Sequence, residues 1–474
     1  MDDNKNVIQK AATGFKFTLL AQIVVLVLGL VKSLLVPKVL EISGYGYWQV
    51  YVLYSTYVGI FMLGYNDGVY LLYGKYRYED LPFLKLRAAN KWFIGMLTAF
   101  TVVCSTLSFL LYSNERQFAM VCVSLDIILM GIYGLLIYVL QITNQMKAYS
   151  FYSVLDKFIV LVIILIIFAL KLNVQYSVFI LIDVFSKVVV STALIFKCRS
   201  LFWGKADNIR IGISEFANNI KIGISLMLAQ LMGQLIMGIG RFFIDLFGEI
   251  DEYAHYSFGV SITNLVLVFI TAVSLVLYPA LKRLPDSNYG IYFDKLNKEL
   301  VLLNNYVLVL YFPAVLVVNW FVPKYSSIVG YLHILFGIVI IQAKMQLIIN
   351  TYYKVLRKER KLFFANMICV IIFLILAAAT YLPTKDIRMI AVSTFVAMLY
   401  RCYVSELYLR KELKLGFSKG MIFEICFVIA YVIGVWILPY KAALVTYVVF
   451  LIIYTIINRK EIEQGISKIV GVLK

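Results

Sequence analysis

Ten residues, IIQAKMQLII from Ile340 to Ile349, set Lys344 among isoleucine, methionine and glutamine in a stretch apolar on both sides. An ammonium in an apolar slab is costly unless something offsets its charge. Its one-turn neighbours Ile340, Ile341, Leu347 and Ile348 carry no opposite charge. The partner must then be a carboxylate from another helix (Asp126 or Asp67), a wet cavity or an anionic ligand. No covalent chemistry is implied. A fixed cation in a wet cavity offsets the desolvation of an anion through charge-assisted hydrogen bonds.

Met227, Gln230, Gln234, Gly238 and Arg241 recur at three- and four-residue spacing, so on a helix they share one face. That makes a polar stripe ending in a guanidinium, suited either to a ligand or to helix–helix hydrogen bonding with a snorkelling arginine. Lys32 is a further cation within an apolar run. Asp183 and Lys187 stand four apart and can neutralise each other. Asp126 and Asp67 are candidate H+ or Na+ coupling sites or ion-pair partners, and Arg401 lies toward the end of its run. The binding candidates are therefore Lys344, Arg241, Lys32, Gln230 and Gln234.

The elements that position these residues follow from composition. The 474 residues are 62% hydrophobic and 15% charged, against about 25% charged in a soluble domain. Apolar runs of roughly 20 residues, each long enough to cross a bilayer, recur throughout. The alternating ten-residue segments of a transmembrane barrel are absent. The chain reads as an all-α polytopic membrane protein with about 14 spans. They fall near 15–36, 47–71, 92–112, 117–142, 153–170, 176–196, 219–243, 254–280, 301–321, 326–352, 362–383, 389–409, 420–438 and 442–458. The first span is not a cleavable signal, being too long and lacking a small-residue cleavage pattern. Six cysteines without a CxxC pair, and only His255 and His333, point to neither a disulfide frame nor a metal site. No cofactor is expected.

The net charge of +18 invites a nucleic-acid reading, but its distribution argues otherwise. Counting from the N-terminus, one set of alternate loops holds 31 Lys and Arg. The other set holds only Lys38, Arg116, Lys171, Lys324, Lys385, Arg388 and Lys441. An excess in short loops marks the cytoplasmic side. Both termini are read as cytoplasmic, and the basicity is a topology signal with no nucleic acid implied.

The halves also resemble each other. YGYWQVYVLYS opens the second span and EYAHYSFGVS the eighth, and setting Tyr47 on Tyr253 gives an offset of 206 residues. A six-span unit is even-numbered, so its two copies relate by a pseudo-two-fold along the membrane normal. The sequence divides into an N-lobe (1–200), a cytoplasmic linker with a short amphipathic helix (201–218), a C-lobe (219–412), and two extra spans with a tail (413–474). Lys32 falls within one turn of the position equivalent to Arg241, and two such cations suit a ligand between lobes.

The stretches VPKVLEISGYGYWQVYVLYSTYVGIFMLG (36–64), QLMGQLIMGIGRFFIDLFGEIDEYAHYSFG (230–259) and VLYPALKR (276–283) resemble the polysaccharide (Wzx-type) flippases of the MOP superfamily, which also contains MATE exporters. One departure is Gly240, which stands where an acidic residue precedes the arginine in that family. The resemblance implies alternating-access movement of a lipid-linked oligosaccharide, on undecaprenyl pyrophosphate, across the cytoplasmic (inner) membrane for O-antigen or capsule synthesis. The partners it implies are that lipid-linked sugar, membrane lipids and a coupling H+ or Na+.

Two alternatives stand beside it. A MATE-type drug/cation antiporter expects an acidic cavity. A membrane polymerase or glycosyltransferase would need larger outer loops than the one around Glu249, Asp251 and Glu252. The topology carries its own test. Cysteines placed at Ser326 and Asn114 are expected to react with an impermeant reagent from outside, and one at Asp207 to be spared. The reverse labelling pattern rejects the orientation.

Overall fold

The computed structural model describes residues 23–282, 285 and 288–459, so the start of the first predicted span, at 15–22, lies outside the described residues. Every regular element among those described is helical. Eleven of the helices are long and apolar enough to cross a membrane. Helices also stand at the other three predicted spans: 23–39, the pair Ile42–Tyr57 and Tyr65–Tyr73, and Ile250–Lys282. The fold is all-α and polytopic.

The chain forms two compact units, Met1–Arg241 with Glu249–Ala254, and Phe242–Gly248 with His255–Lys474. The first holds α1 (23–39), α2 (Ile42–Tyr57), α3 (Tyr65–Tyr73), α4 (Phe83–Leu111), α5 (Asn114–Ile142), α6 (Met146–Ala169), α7 (Tyr176–Lys197) and most of α8 (Ile209–Phe247). Its hub is α5, on which α2, α3, α4, α6 and α7 pack. The second holds the rest of α9 (Ile250–Lys282), then α10 (Tyr289–Val307), α11 (Tyr311–Phe321), α12 (Val329–Lys344), α13 (Asn350–Val355), α14 (Glu359–Thr384), α15 (Ile387–Glu412), α16 (Lys419–Ile437) and α17 (Tyr440–Ile457). Its hub is the span Pro323–Val355, whose apolar window is 94% buried, against 17% for α17. A helix apolar all round belongs in a core, and α12 fits that rule.

The second span is not the single helix its hydropathy predicts. After a 3-10 turn at Val58–Met62, Leu63 (φ 48°) and Gly64 (φ 81°) both enter the left-handed region, and α3 restarts at Tyr65. Gly64 meets that demand cheaply because it has no Cβ. It also lies so close to the α8 backbone at Gly223 and Ile224 that a Cβ would collide there. Gly68 abuts the Asn219 backbone, and Gly223 the backbone of Gly64 and Gly68. Small residues thus let α3 and α8 approach backbone to backbone.

The linker also differs from the separate amphipathic helix expected. A 3-10 turn at Arg199–Leu201 leads to irregular chain, and α8 then runs unbroken for 39 residues. No proline interrupts 209–219, so the amphipathic segment extends the seventh span. Arg87 fixes the approach, donating to the carbonyls of Ser200 (2.8 Å) and Lys205 (2.8 Å). In the second unit, α12 passes into a π-turn at Met345–Ile349, immediately after Lys344.

Gly68→Val is expected to force α3 from α8 and lower stability by about 1–3 kcal/mol, read as a reduced unfolding midpoint of purified protein. Gly95→Ala, where a Cβ meets nothing within 4 Å, is the control and leaves the midpoint unchanged or raised. Equal midpoints for both variants would contradict the close approach.

Candidate functional site

In the first unit, a charge network joins α1, α2, α5 and α7. Lys187 lies 2.7 Å from Asp126 and 2.9 Å from Asp183, its i,i+4 partner. Asp183 also pairs with Lys32 at 3.3 Å. Tyr51 donates to Asp183 (2.9 Å), and Ser55 donates to Asp126 (2.6 Å). Two ammonium groups thus face two carboxylates, and the cluster is electroneutral. That is the arrangement in which buried charges hold without large cost.

The network is graded in exposure. Asp126 is fully buried, whereas the Lys32 side chain is 31% exposed. Lys32 also stands over the Trp48 ring, 4.8 Å from its centre, an attraction that strengthens as water is excluded. The accessible end of the network is a cation.

The α8 stripe divides as the geometry requires. Met227 and Gly238 are buried, Gln230 and Gln234 exposed, and Arg241 half-buried. Gly238 packs on Tyr57, whose hydroxyl donates to the Gln234 carbonyl (2.9 Å). Gln230 donates to Asp67 at 3.3 Å. Arg241 keeps a buried Nε with no hydrogen-bond partner. Among the described residues no hydrogen bond or ion pair joins Lys32 to Arg241: each cation is held in its own surroundings.

Lys344 belongs to the second unit and is 1% exposed. Its ammonium pairs with Glu406 of α15 at 2.7 Å and with Glu424 of α16. Tyr403 covers it from 4.9 Å. Asp126 and Asp67 are not its partners, being engaged by Lys187 and Gln230. Arg410 extends the cluster, 3.7 Å from Glu406 and 2.8 Å from Asp294. A pocket of about 520 Å³ reaches the triad, walled by Asp294, Asn297, Met421, Glu424, Phe450 and Tyr454 among others. An anion entering there competes with two carboxylates for Lys344.

Glu406 and Glu424 did not emerge from the sequence as partners. Glu424 carries a visible signal, a carboxylate inside the apolar run MIFEICFVIA, and it matches the unpartnered lysine in kind. Glu406 is masked by the charges that follow it at Arg410, Lys411 and Glu412.

No protein-family model and no curated protein matches the chain. Solved structures do. The lipid II flippase MurJ, in an inward closed conformation, aligns with a TM-score of 0.69 at 14% identity, covering 94% of this chain and 100% of that one. A Vibrio cholerae MATE transporter, VcmN, in a mutant form, gives 0.52 at 14% identity over 86% and 97%. An inward-facing multidrug resistance MATE transporter of the MOP superfamily gives 0.53 at 13% identity over 83% and 94%. The chain shares the fold of these transporters.

Lys344→Met leaves Glu424 as a buried charge without its partner, a loss of about 3–5 kcal/mol for a pair of this kind. Glu406 keeps Arg410. Adding Glu424→Gln to Lys344→Met is therefore expected to restore most of the stability, measured by thermal unfolding in detergent. A double variant no more stable than the single one would refute the pairing.

Proposed function

We propose that the chain is a flippase that carries a lipid-linked oligosaccharide, on undecaprenyl pyrophosphate, across the cytoplasmic membrane by alternating access. The observation that carries this reading is the exposed cationic end of the α1–α2–α5–α7 network. Asp126 and Asp183 are committed to lysines, while Lys32 remains within reach of a ligand. A diphosphate loses hydration on entering the membrane, and an accessible ammonium replaces part of it. Arg241 supplies a second cation with an unused Nε. The exposed amides of Gln230 and Gln234 offer donors and acceptors to sugar hydroxyls.

A drug/cation antiporter on the same fold would present accessible carboxylates, so the sign of the exposed charge favours an anionic headgroup. The overlay on the lipid II flippase along its whole length supports the same class of cargo. Asp67 is the coupling candidate in this reading. It is 7% exposed and accepts from the Gln230 amide, with no cation paired to it among the described residues. Asp126 acts as a structural ion-pair partner.

Lys32→Gln and Arg241→Gln are each expected to slow flipping, seen as accumulation of the lipid-linked sugar in the inner leaflet. The double variant loses less than the sum of the singles, because both act on one headgroup. Normal flipping in the double variant would reduce both residues to interface anchors.

A further inference from the structure

Arg401, on α15, is 1% exposed, and its Nε and Nη1 have no hydrogen-bond partner. The groups whose fields reach it are Cys369 of α14, Cys402 of α15 and Tyr353 of α13. None of these is a carboxylate. The other cations of this unit solve the same problem differently: Lys344 takes Glu406 and Glu424, and Arg410 takes Asp294. A guanidinium cannot escape by losing its proton. Left uncompensated it is costly, and among the described residues no carboxylate pairs with it, so a bound anion is the answering charge open to it.

Other buried polar groups stand on the same helix and nearby. Ser405, one helical turn on, is also 1% exposed, and its Oγ has no partner. The Tyr353 phenol lies near enough for its field to reach the guanidinium, and its ring is held by stacking on Tyr408, with centroids 5.8 Å apart. Three donor groups thus gather, and among the described residues no carboxylate pairs with Arg401.

We propose that Arg401, Ser405 and Tyr353 form a buried binding site for a small monovalent inorganic anion of the chloride class. The burial excludes a lipid phosphate, whose headgroup could not follow. A strongly hydrated divalent anion such as sulfate is disfavoured because it would have to leave its water behind. The site is separate from the Lys32 and Arg241 regions and does not depend on the transport reading. Its occupant would tie α13, α14 and α15 together, because a ligand bound only by the folded state stabilises that state.

The test uses the purified full-length protein in detergent, with sodium chloride replacing sodium gluconate at constant ionic strength. The wild-type unfolding temperature should rise saturably by several degrees, bromide should reproduce the rise, and sulfate should not. Arg401→Gln should abolish the response and, in gluconate, match or exceed the wild type, because the uncancelled charge is gone. Should that variant fail to fold, Ser405→Ala should move the chloride midpoint several-fold higher. A flat wild-type titration, an equal response to sulfate, an undiminished response in Arg401→Gln or an unmoved midpoint in Ser405→Ala each overturns the site.

Discussion

Lys187 shared between Asp126 and Asp183 is the interaction on which the first unit depends. Its ammonium joins α7 to α5 and also donates to Tyr51 of α2 (2.9 Å), and α1 joins through Lys32. In an apolar surrounding, a charged side chain is costly unless an opposite charge or a ligand answers it. That requirement selects which helices pack together more sharply than apolar contact, because lipid tails and leucines are equally good neighbours. The second unit obeys the same constraint with Lys344, Glu406 and Glu424, and there too three helices meet at one ammonium.

The two clusters differ in how they leave their charge. The first is balanced and graded outward, so that its exposed end is positive. The second buries its lysine at the end of a pocket and draws Arg410 and Asp294 into the same chain of contacts. An accessible cation fits a role in binding. An enclosed one fits a role in fastening α16 to the core, with α12 and α15 supplying the other two members of the clasp.

Much of this was legible in the residues. Hydropathy placed helices at the predicted spans, and the i,i+4 spacing of Asp183 and Lys187 foretold their pair. The charge on Lys344 demanded a carboxylate or ligand from elsewhere. Its actual partners stayed hidden, because helical periodicity says which face a residue occupies and nothing of which helix lies opposite. Glu424 stood in a span outside the six-span repeat expected from the sequence, where symmetry gave no reason to look. The break in the second span escaped as well: hydropathy is blind to the backbone handedness of Leu63 and Gly64. The seventh span was longer than its apolar stretch, since polar residues that favour solvent do not themselves end a helix.

The π-turn at Met345–Ile349 sets a rule for how this chain can change length. A turn closed over five residues instead of four holds one residue more than a regular helix, and each residue advances the helical face by about 100°. Ahead of it, Lys344 faces its glutamates. Beyond it, Tyr352 donates to the Tyr289 carbonyl and Tyr353 stacks on Tyr408. Deleting any one residue of the turn would produce a more regular helix, yet rotate one half against the other by about that angle. The lysine and the tyrosines could not then both be seated. Along this span, an indel that improves local geometry would unseat one of these contacts, whereas a change of length in the loops at its two ends would leave both in place.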